Sequence, residues 1–471
     1  MTENATTTRS ERLTGHLGTV GVVFMVVAAA APLTVIGGNM PLAMGLGNGA
    51  GAPVGFLIAA LVLLLFSIGF VTMTPYVPEA GAFFSYVTVG LGKRAGMGIA
   101  VVALIAYTAI QVGIYGYIGW AIDDTVRFYH GPQIPWPFYS FVILAIVALL
   151  GYRHIELSAK VLGVALVLEI GIVLILDLVI VANPGPAGLT LASFEPSVFT
   201  HGTLGIAVLF ALTGFIGFEA TAVFRDEARD PERTIPRATY AAVLIICGFY
   251  ALTCWAFVVA MGPDQVTAVA QRTLDGEANM LLDTTDATLG RVGRDIVNVL
   301  LLSSLFACVL SFHNVIARYQ FVLAGKGLLP RRLGDVHPTH RSPAFSSIVQ
   351  TVTAALIVLV LAIFRVDPLV GVFGSMAGVA TVGMVILMLT TSLAVLAYFV
   401  RHREWAGGRL WQTRIAPALA CLGLLASMWL VLSNFTLVTG GSFALSTMLA
   451  VVPFLGLLVG YFIGQPQQQT G

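Results

Sequence analysis

Long apolar stretches separated by short polar segments fill most of the chain. An α-helix needs about 20 apolar residues to cross a bilayer, and because the hydrocarbon core holds no water the helix must satisfy its own backbone polar groups. A transmembrane β-barrel would instead show alternating segments of about ten residues. The pattern therefore predicts an all-α polytopic membrane protein with about twelve transmembrane helices. The stretches are approximately 20–46, 53–74, 96–122, 137–152, 155–181, 203–224, 237–261, 293–324, 344–364, 368–399, 413–434 and 443–464.

The composition excludes several other classes of protein. Of 471 residues, 58% are hydrophobic and only 10% are Asp, Glu, Lys or Arg, whereas soluble domains carry about 25% charged residues. A net charge of +1 leaves no basic surplus for binding nucleic acid. All four cysteines lie in apolar stretches, where we expect buried thiols without a disulfide or metal role. We therefore expect no soluble enzyme, no nucleic-acid partner, no metal and no cofactor.

The distribution of basic residues predicts the orientation of the chain. Lys and Arg are retained in short loops on the cytoplasmic side of a membrane. With an even number of spans and both ends inside, 19 of the 24 basic residues fall on the inner side. The polar residues 1–19 show no signal-peptide pattern, so we interpret them and residues 465–471 as cytoplasmic tails. The sequence predicts a multi-pass protein of the cell membrane. The basic residues left outside are Arg127, Arg272, Arg291, Arg294 and Arg365.

Two of the apolar stretches carry helix-breaking residues at corresponding places. Pro32 and a Gly37-Gly38 pair interrupt the first stretch, and Gly214 and Gly217 interrupt the sixth. Proline lacks an amide hydrogen, and glycine permits non-helical dihedral angles. Each break lies in the first span of a set of five, and paired interruptions in two inverted halves point to the substrate site of a transporter. The alternative is a pair of ordinary Gly/Pro kinks, which membrane helices tolerate.

A substrate that carries both charges would suit two such breaks. The amino terminus of a half-helix offers free N–H groups to an anion, and the freed carbonyls accept from an amine. An amino-acid zwitterion fits both ends. Gln111 belongs to a polar stripe in the third span that either lines the cavity or bonds between helices. The substrate-binding candidates are Ala30, Ala31, Pro32, Leu33, Thr34, Gln111, Gly214 and Ile216.

Three acidic side chains lie inside predicted spans. Glu169 and Asp177 stand eight residues apart on one face of the fifth span, and Glu219 lies in the sixth. Ionisable groups within a membrane are costly and usually functional, and burial disfavours the charged form of a carboxyl. Glu169 and Glu219 are therefore candidates for proton coupling, or counter-ions for a cationic substrate. For Glu219 the alternative is a protonated carboxyl bonded to neighbouring backbone.

Three segments of the chain resemble the amino acid–polyamine–organocation (APC) superfamily of permeases. They are the Gly-aromatic segment from Pro78 to Gly92, the sixth span and following loop from Phe215 to Ala238, and the segment from Asn314 to Pro343. The resemblance extends over about residues 15–465, and the three segments occur in the family's order and at the corresponding spans.

This resemblance implies a LeuT-like fold with alternating access around a central site. Helices 1 and 6 would be discontinuous, and each would open one half of a 5+5 inverted repeat. The first repeat would span residues 20–182 and the second residues 203–399, with residues 413–464 as a peripheral helix pair.

The sequence departs from the pattern of the resembling permeases at three points. Their first break carries a Gly-small-Gly string whose amides hold the substrate carboxylate, but here the match is Ala31-Pro32-Leu33, and Pro32 cannot donate. Their aromatic gate before the sixth-span motif corresponds to Thr213, for which Phe210 or Phe215 would substitute, so these three residues are also substrate-binding candidates. Some proton-coupled relatives have a lysine in the fifth span where this chain has Glu169.

The sequence therefore predicts a secondary transporter of amino acids, coupled to protons, and not an enzyme. Neither an HExxH pair nor a GxSxG elbow occurs in the chain. An amine or polyamine carrier and an amino-acid exchanger remain alternatives within transport. A transport-dead nutrient sensor is the alternative from another class.

Overall fold

The computed structural model of the chain describes residues 18–77, 83–153, 159–219, 228–337, 342–440 and 443–464. These residues form helices joined by turns and contain no β-strand, which confirms the predicted all-α class. The Gly-aromatic segment falls partly outside this set because residues 78–82 are not among the described ones. The same holds for both tails and for residues 220–227 of the sixth-span motif.

Seven helices make up the first half of the chain. The second of them, residues 32–48, contains two stretches of wide, π-type turns, Val35–Asn39 and Ala43–Asn48. The helices are α1 (Thr19–Ala29), α2 (residues 32–48), α3 (Ala52–Met73), α4 (Phe83–Leu91), α5 (Lys93–Phe128), α6 (Trp136–Tyr152) and α7 (Ala159–Ala182).

Eight helices follow in the second half. They are α8 (Leu204–Thr213), α9 (Pro231–Met261), α10 (Val266–Leu274), α11 (Met280–Gly325), α12 (Ala344–Ile363), α13 (residues 368–401), α14 (residues 411–433) and α15 (Phe443–Ile463). Short helical turns connect several of them, at Gly49–Gly51, Thr74–Tyr76, Ala192–Phe194, Pro196–Phe199, Arg331–Gly334, Arg403–Ala406 and Phe435–Val438.

Nine helical stretches among the described residues are long and apolar enough to cross a membrane. One of these, Thr19–Tyr76, is 58 residues long, well beyond the roughly 20 residues that one crossing needs. The helices α6 and α8 are apolar but shorter. The count of about twelve crossings therefore stays a prediction, while the multi-pass architecture is clear.

The helices extend beyond the apolar stretches at two places. The third predicted span, 96–122, belongs to a helix of 36 residues, Lys93–Phe128. The eighth, 293–324, belongs to α11, whose polar first part precedes a kink at Gly290 with φ of 73°. Hydrophobic patterning detects only the part of a helix that faces apolar surroundings, so the polar ends of these helices lie outside the predicted spans.

The long helix α5 lies at the centre of the molecule. It packs against α4, α6, α11, α13 and α15. Exposed apolar side chains cover the outer faces of the peripheral helices, including Trp429 on α14 and Phe443 on α15. An apolar surface of this extent is unsuited to water and is typical of a protein embedded in lipid.

Both helix interruptions are present where the sequence predicts them. Helix α1 ends at Ala29, and Ala31 has the left-handed φ of 46° before α2 begins at Pro32. Proline is tolerated there because the first amide of a helix has no partner to lose. Helix α8 ends at Thr213, and turns follow through Gly217, which has φ of 110°. A Cβ atom at Gly217 would lie 3.5 Å from the Ala29 carbonyl oxygen, so the two breaks adjoin.

Candidate functional site

A cavity of about 30 Å³ lies between the two helix breaks. One to two water molecules would fill this volume. The first break and α2 supply about half of its wall, and α5, α8, the turn after α8, α11 and α13 supply the rest. The lining residues are Ala29, Ala30, Ala31, Thr34, Val35, Asn39, Ile110, Ile114, Thr213, Ile216, Cys308, Phe312 and Phe373.

Three polar side chains line this cavity, and one of them lacks a partner. Asn39 donates from Nδ2 to the Phe210 carbonyl oxygen at 2.9 Å. The Thr213 hydroxyl lies 2.5 Å from the Thr381 hydroxyl and also donates to the Leu209 carbonyl. The Thr34 hydroxyl is buried and has no hydrogen-bond partner among the described residues. Buried polar groups are nearly always bonded, so Thr34 is suited to a ligand or water in the cavity.

The Glu169 carboxyl lies at the first break. It accepts from the Ser304 hydroxyl at 3.0 Å and lies beside the Leu33 backbone amide. The Tyr250 hydroxyl donates to the Ala30 carbonyl oxygen at 3.2 Å on the other side of the break. Since helix amino termini stabilise negative charge, α2 is a favourable place for this carboxylate. An acid from α7 thus uses an amide that the sequence analysis assigned to the substrate.

Glu219 makes the equivalent contacts at the second break. Its Oε2 atom accepts from the Gly217 amide at 2.9 Å, and its Oε1 atom accepts from the Tyr107 hydroxyl at 2.7 Å. The side chain is 4% exposed and does not line the cavity. The bond to neighbouring backbone corresponds to the alternative considered for this residue, and the Tyr107 bond adds a link to α5.

Gln111 bonds between helices and does not line the cavity. Its Oε1 atom accepts from Gln350 Nε2 at 2.7 Å, and its amide nitrogen lies 3.4 Å from Nδ1 of His313. His313 continues the chain through Nε2 to the Ser347 hydroxyl at 2.8 Å. This network joins α5, α11 and α12 beside the cavity.

The remaining site candidates pack behind the cavity wall. Neither Phe210 nor Phe215 lines the cavity. Phe210 is fully buried, and the Phe215 ring lies 6.2 Å from that of Tyr250. A Cβ atom at Gly214 would lie 3.0 Å from Val35 Cγ1. Pro32 and Leu33 are buried next to the wall residues Ala31 and Thr34. The candidates that do line the cavity are Ala30, Ala31, Thr34, Thr213 and Ile216.

Sequence reasoning missed several apolar residues of the wall. Ile110 and Ile114 are one helical turn apart and adjoin residues of the polar stripe that contains Gln111. Their i, i+4 spacing beside Gln111 is a signal that could have identified them. Cys308, Phe312 and Phe373 look like ordinary core residues in the sequence, and only the packing of α11 and α13 against the breaks identifies them.

The acids of this region are not arranged as metal ligands. Asp177 is buried and accepts from the Thr253 hydroxyl at 2.7 Å, more than two helical turns from Glu169 along α7. Across the described part of the chain, no three His, Cys, Asp or Glu side chains converge on a point where a metal could bind. The chemistry available at this site is therefore hydrogen bonding, proton exchange on carboxyls and apolar contact.

Comparison with known proteins identifies similar sequences. The model of a family described as amino acid permease matches residues 17–459. A branched-chain amino acid permease of Bacillus subtilis is 24% identical over 63% of this chain and 64% of its own length. A serine/threonine exchanger of the same organism is 22% identical over 65% of this chain and 67% of its own length. A low-affinity putrescine importer of Escherichia coli K12 is 25% identical over 76% of this chain and 77% of its own length. The match thus spans under two thirds of the branched-chain permease.

Proposed function

The chain belongs to the amino acid permease family, and we propose that it is a secondary transporter that carries amino acids across the cell membrane by alternating access, coupled to protons. One observation carries the proposal. Two interrupted helices adjoin at a small buried cavity, and the Thr34 hydroxyl in its wall lacks a partner among the described residues. An enclosed site at paired helix breaks is what a carrier of small polar molecules needs.

The wall favours a neutral amino acid with a small apolar side chain. The described lining residues carry no formal charge, and most are aliphatic or aromatic. A buried charge without a partner is costly, so a substrate with a charged side chain or two ammonium groups is poorly matched. The α-carboxylate would bind the Thr34 hydroxyl and neighbouring amides of α2, and the α-ammonium would bind carbonyls that the first break leaves free.

The contact between Glu169 and the Leu33 amide supports proton coupling. A substrate carboxylate that binds at the start of α2 would compete with the Glu169 carboxylate for the same positive helix end. Protonation of Glu169 would relieve the repulsion between the two carboxylates. Glu219, bonded to Gly217 and Tyr107, is the second candidate for a proton carrier.

The proposed orientation has both termini in the cytoplasm. It rests on the 19 of 24 basic residues that would then lie on the inner side. We further propose that residues 20–182 and 203–399 form two inverted repeats, since the breaks at Pro32 and Gly214 occupy the first helix of each. Labelling of single cysteines from either side of the membrane would test this topology.

An amine carrier is the second candidate. The putrescine importer among the similar proteins favours it, and Glu169 and Glu219 would serve as counter-ions. Two ammonium groups would then have to reach carboxyls that are already bonded within the protein.

Uptake into proteoliposomes separates these candidates. We expect alanine, valine or leucine to accumulate when the outside is more acidic than the inside, and putrescine not to. Putrescine uptake without amino-acid uptake would replace the proposal with the amine carrier. Amino-acid uptake that is independent of the pH gradient but requires an amino acid inside the proteoliposomes would indicate an exchanger. Binding without any transport would indicate a sensor.

A further inference from the structure

Arg294 is a buried arginine that forms no ion pair among the described residues. It lies on α11 four residues after the kink at Gly290 and is 1% exposed. Its Nε and Nη1 atoms have no hydrogen-bond partner among the described residues. Arginine cannot lose its proton in a protein, and a buried charge without a counter-ion is costly. The guanidinium carbon lies 3.1 Å from the centroid of the Phe128 ring, a contact that offsets part of this cost.

An acid of opposite charge lies near Arg294 without pairing with it. Asp124 is one helical turn before Phe128 on α5, and its carboxyl interacts electrostatically with the Arg294 charge. None of the ion pairs formed within the described ranges includes either residue. Asp124 instead accepts from Nδ2 of Asn279 at 2.8 Å. Arg127 acts on the same carboxyl, although its ion pair is with Asp123, so Asp124 lies near two cations and pairs with neither among the described residues.

Further polar groups without partners lie between this pair and the cavity. Tyr117 is two helical turns before Asp124 on α5, it is buried, and its hydroxyl lacks a partner in the described structure. Its ring centroid lies 5.1 Å from that of Phe373, which lines the cavity. The Thr34 hydroxyl lies in the cavity wall beyond it. Since buried polar groups are rarely left unbonded, these two hydroxyls are suited to bonding water or a passing ligand.

We propose that Arg294 and Asp124 form a second, outer binding site for zwitterionic amino acids. The Arg294 guanidinium would bind the α-carboxylate and the Asp124 carboxylate the α-ammonium, before the molecule moves past Tyr117 into the cavity. Charge-assisted hydrogen bonds of this kind are among the strongest that side chains make. The inference rests on the proposed function and on the proposed orientation, which puts this end of α5 outside.

The outer site would supply the charged partners for a zwitterion that the cavity lacks. The described cavity wall is uncharged, so it has no charged side chain that pairs with the carboxylate and ammonium of an entering zwitterion. A cation beside an anion excludes diamines, because Arg294 repels their second ammonium group. In this structure the Phe128 ring covers the Arg294 guanidinium and Asn279 donates to the Asp124 carboxylate. Binding of an amino acid at the outer site therefore has to displace both.

The test compares Arg294→Gln with Arg291→Gln in proteoliposomes of known orientation. Arg291 is a matched control because its guanidinium carbon also lies over the Phe128 ring, at 4.0 Å. Its side chain, however, is 51% exposed and pairs with Asp295 at 3.5 Å. With substrate outside, we expect Arg294→Gln to raise the KM for alanine or leucine about tenfold or more, as for loss of a charged hydrogen bond. With substrate inside, its KM should stay at the wild-type value, and Arg291→Gln should leave both values unchanged.

A derivative without a carboxylate provides the second readout. Alanine methyl ester should inhibit outside uptake by the wild type and by Arg294→Gln equally, because it cannot use the guanidinium. An outside KM for Arg294→Gln within twofold of wild type, or an equal rise on both sides, would overturn the proposal.

If that variant does not fold, Asp124→Asn tests the proposal instead, since the asparagine oxygen can still accept from Asn279. It should raise the outside KM for alanine and leave inhibition by N-acetylalanine unchanged, and an unchanged KM would reject the site. A wild-type protein that does not transport amino acids would refute the proposed function instead.

Discussion

The Glu169 carboxyl lies beside the Leu33 backbone amide, directly after Pro32 at the start of α2. An acid from α7 thereby occupies the positive end of the half-helix that begins at the first break. The corresponding relation at the second break is that of Glu219 with the Gly217 amide at 2.9 Å. At each break a carboxyl of the protein itself thus lies against a backbone amide, and a proton on either carboxyl would weaken that contact.

Glu169→Gln should uncouple transport from the pH gradient. Glutamine keeps the size of the side chain and an oxygen that accepts from Ser304, but it cannot take up a proton. We expect uptake driven by an acidic outside to fall to the level without a gradient, while exchange of internal for external amino acid continues. Radiolabelled uptake with and without an imposed gradient measures this.

Asp177→Asn is the control for this substitution. Asp177 lies on the same helix, is equally buried and accepts from Thr253 at 2.7 Å. We expect this variant to keep the stimulation by the gradient. Full stimulation in Glu169→Gln would show that the proton is carried elsewhere.

Glu219→Gln should impair pH-dependent uptake and leave the protein folded. The glutamine oxygen can still accept from the Gly217 amide, and its NH₂ group can donate to the Tyr107 hydroxyl. Thermal unfolding in detergent should therefore be near that of the wild type, while uptake loses its rise at acidic pH. A variant with wild-type uptake and pH response would exclude Glu219 from coupling.

Tyr107→Phe, which removes the hydroxyl that donates to Glu219 at 2.7 Å, should destabilise the fold by about 1–3 kcal/mol, the cost of an unpaired buried group.

The sequence was sufficient for the fold class because its signals are local. Apolar stretches of helix-spanning length and the residues Pro32 and Gly217 can be recognised without any partner. Pro32 and Gly217 lie at the two interruptions. The third apolar stretch did not show that α5 continues to Phe128, because its last turns are polar.

The site was only partly predictable because its wall comes from five regions of the chain. Ala31 and Thr34 were candidates since they adjoin a break, and both line the cavity. Phe312 and Phe373 line it only because α11 and α13 pack there, which residue type does not indicate. The contact of Leu33 with Glu169 joins residues 136 positions apart. No local pattern in the sequence connects them.

Gly214→Leu should abolish substrate binding. A Cβ atom at this position would lie 3.0 Å from Val35 Cγ1 and 3.4 Å from Tyr250 Cε2, so a leucine side chain would push Val35 into the cavity that it lines. Gly248→Leu is the matched control, because a Cβ atom there would meet nothing within 4 Å. Thermal stabilisation by added amino acid reports binding by mass action. It should disappear in Gly214→Leu and persist in Gly248→Leu, and retained affinity in the first variant would place the site elsewhere.

Thr34→Val should weaken substrate binding without destabilising the protein. The two side chains have nearly the same shape, and the Thr34 hydroxyl has no partner among the described residues, so its removal deletes an unsatisfied polar group from the interior. If the hydroxyl donates to the substrate carboxylate, its loss should reduce affinity about tenfold or more, as for a hydrogen bond to a charged group. Thr213→Val should instead lower the melting temperature and change substrate affinity little. The reason is that the Thr213 hydroxyl already bonds the Thr381 hydroxyl at 2.5 Å and the Leu209 carbonyl. Equal affinities for Thr34→Val and wild type would show that the carboxylate binds to backbone amides alone.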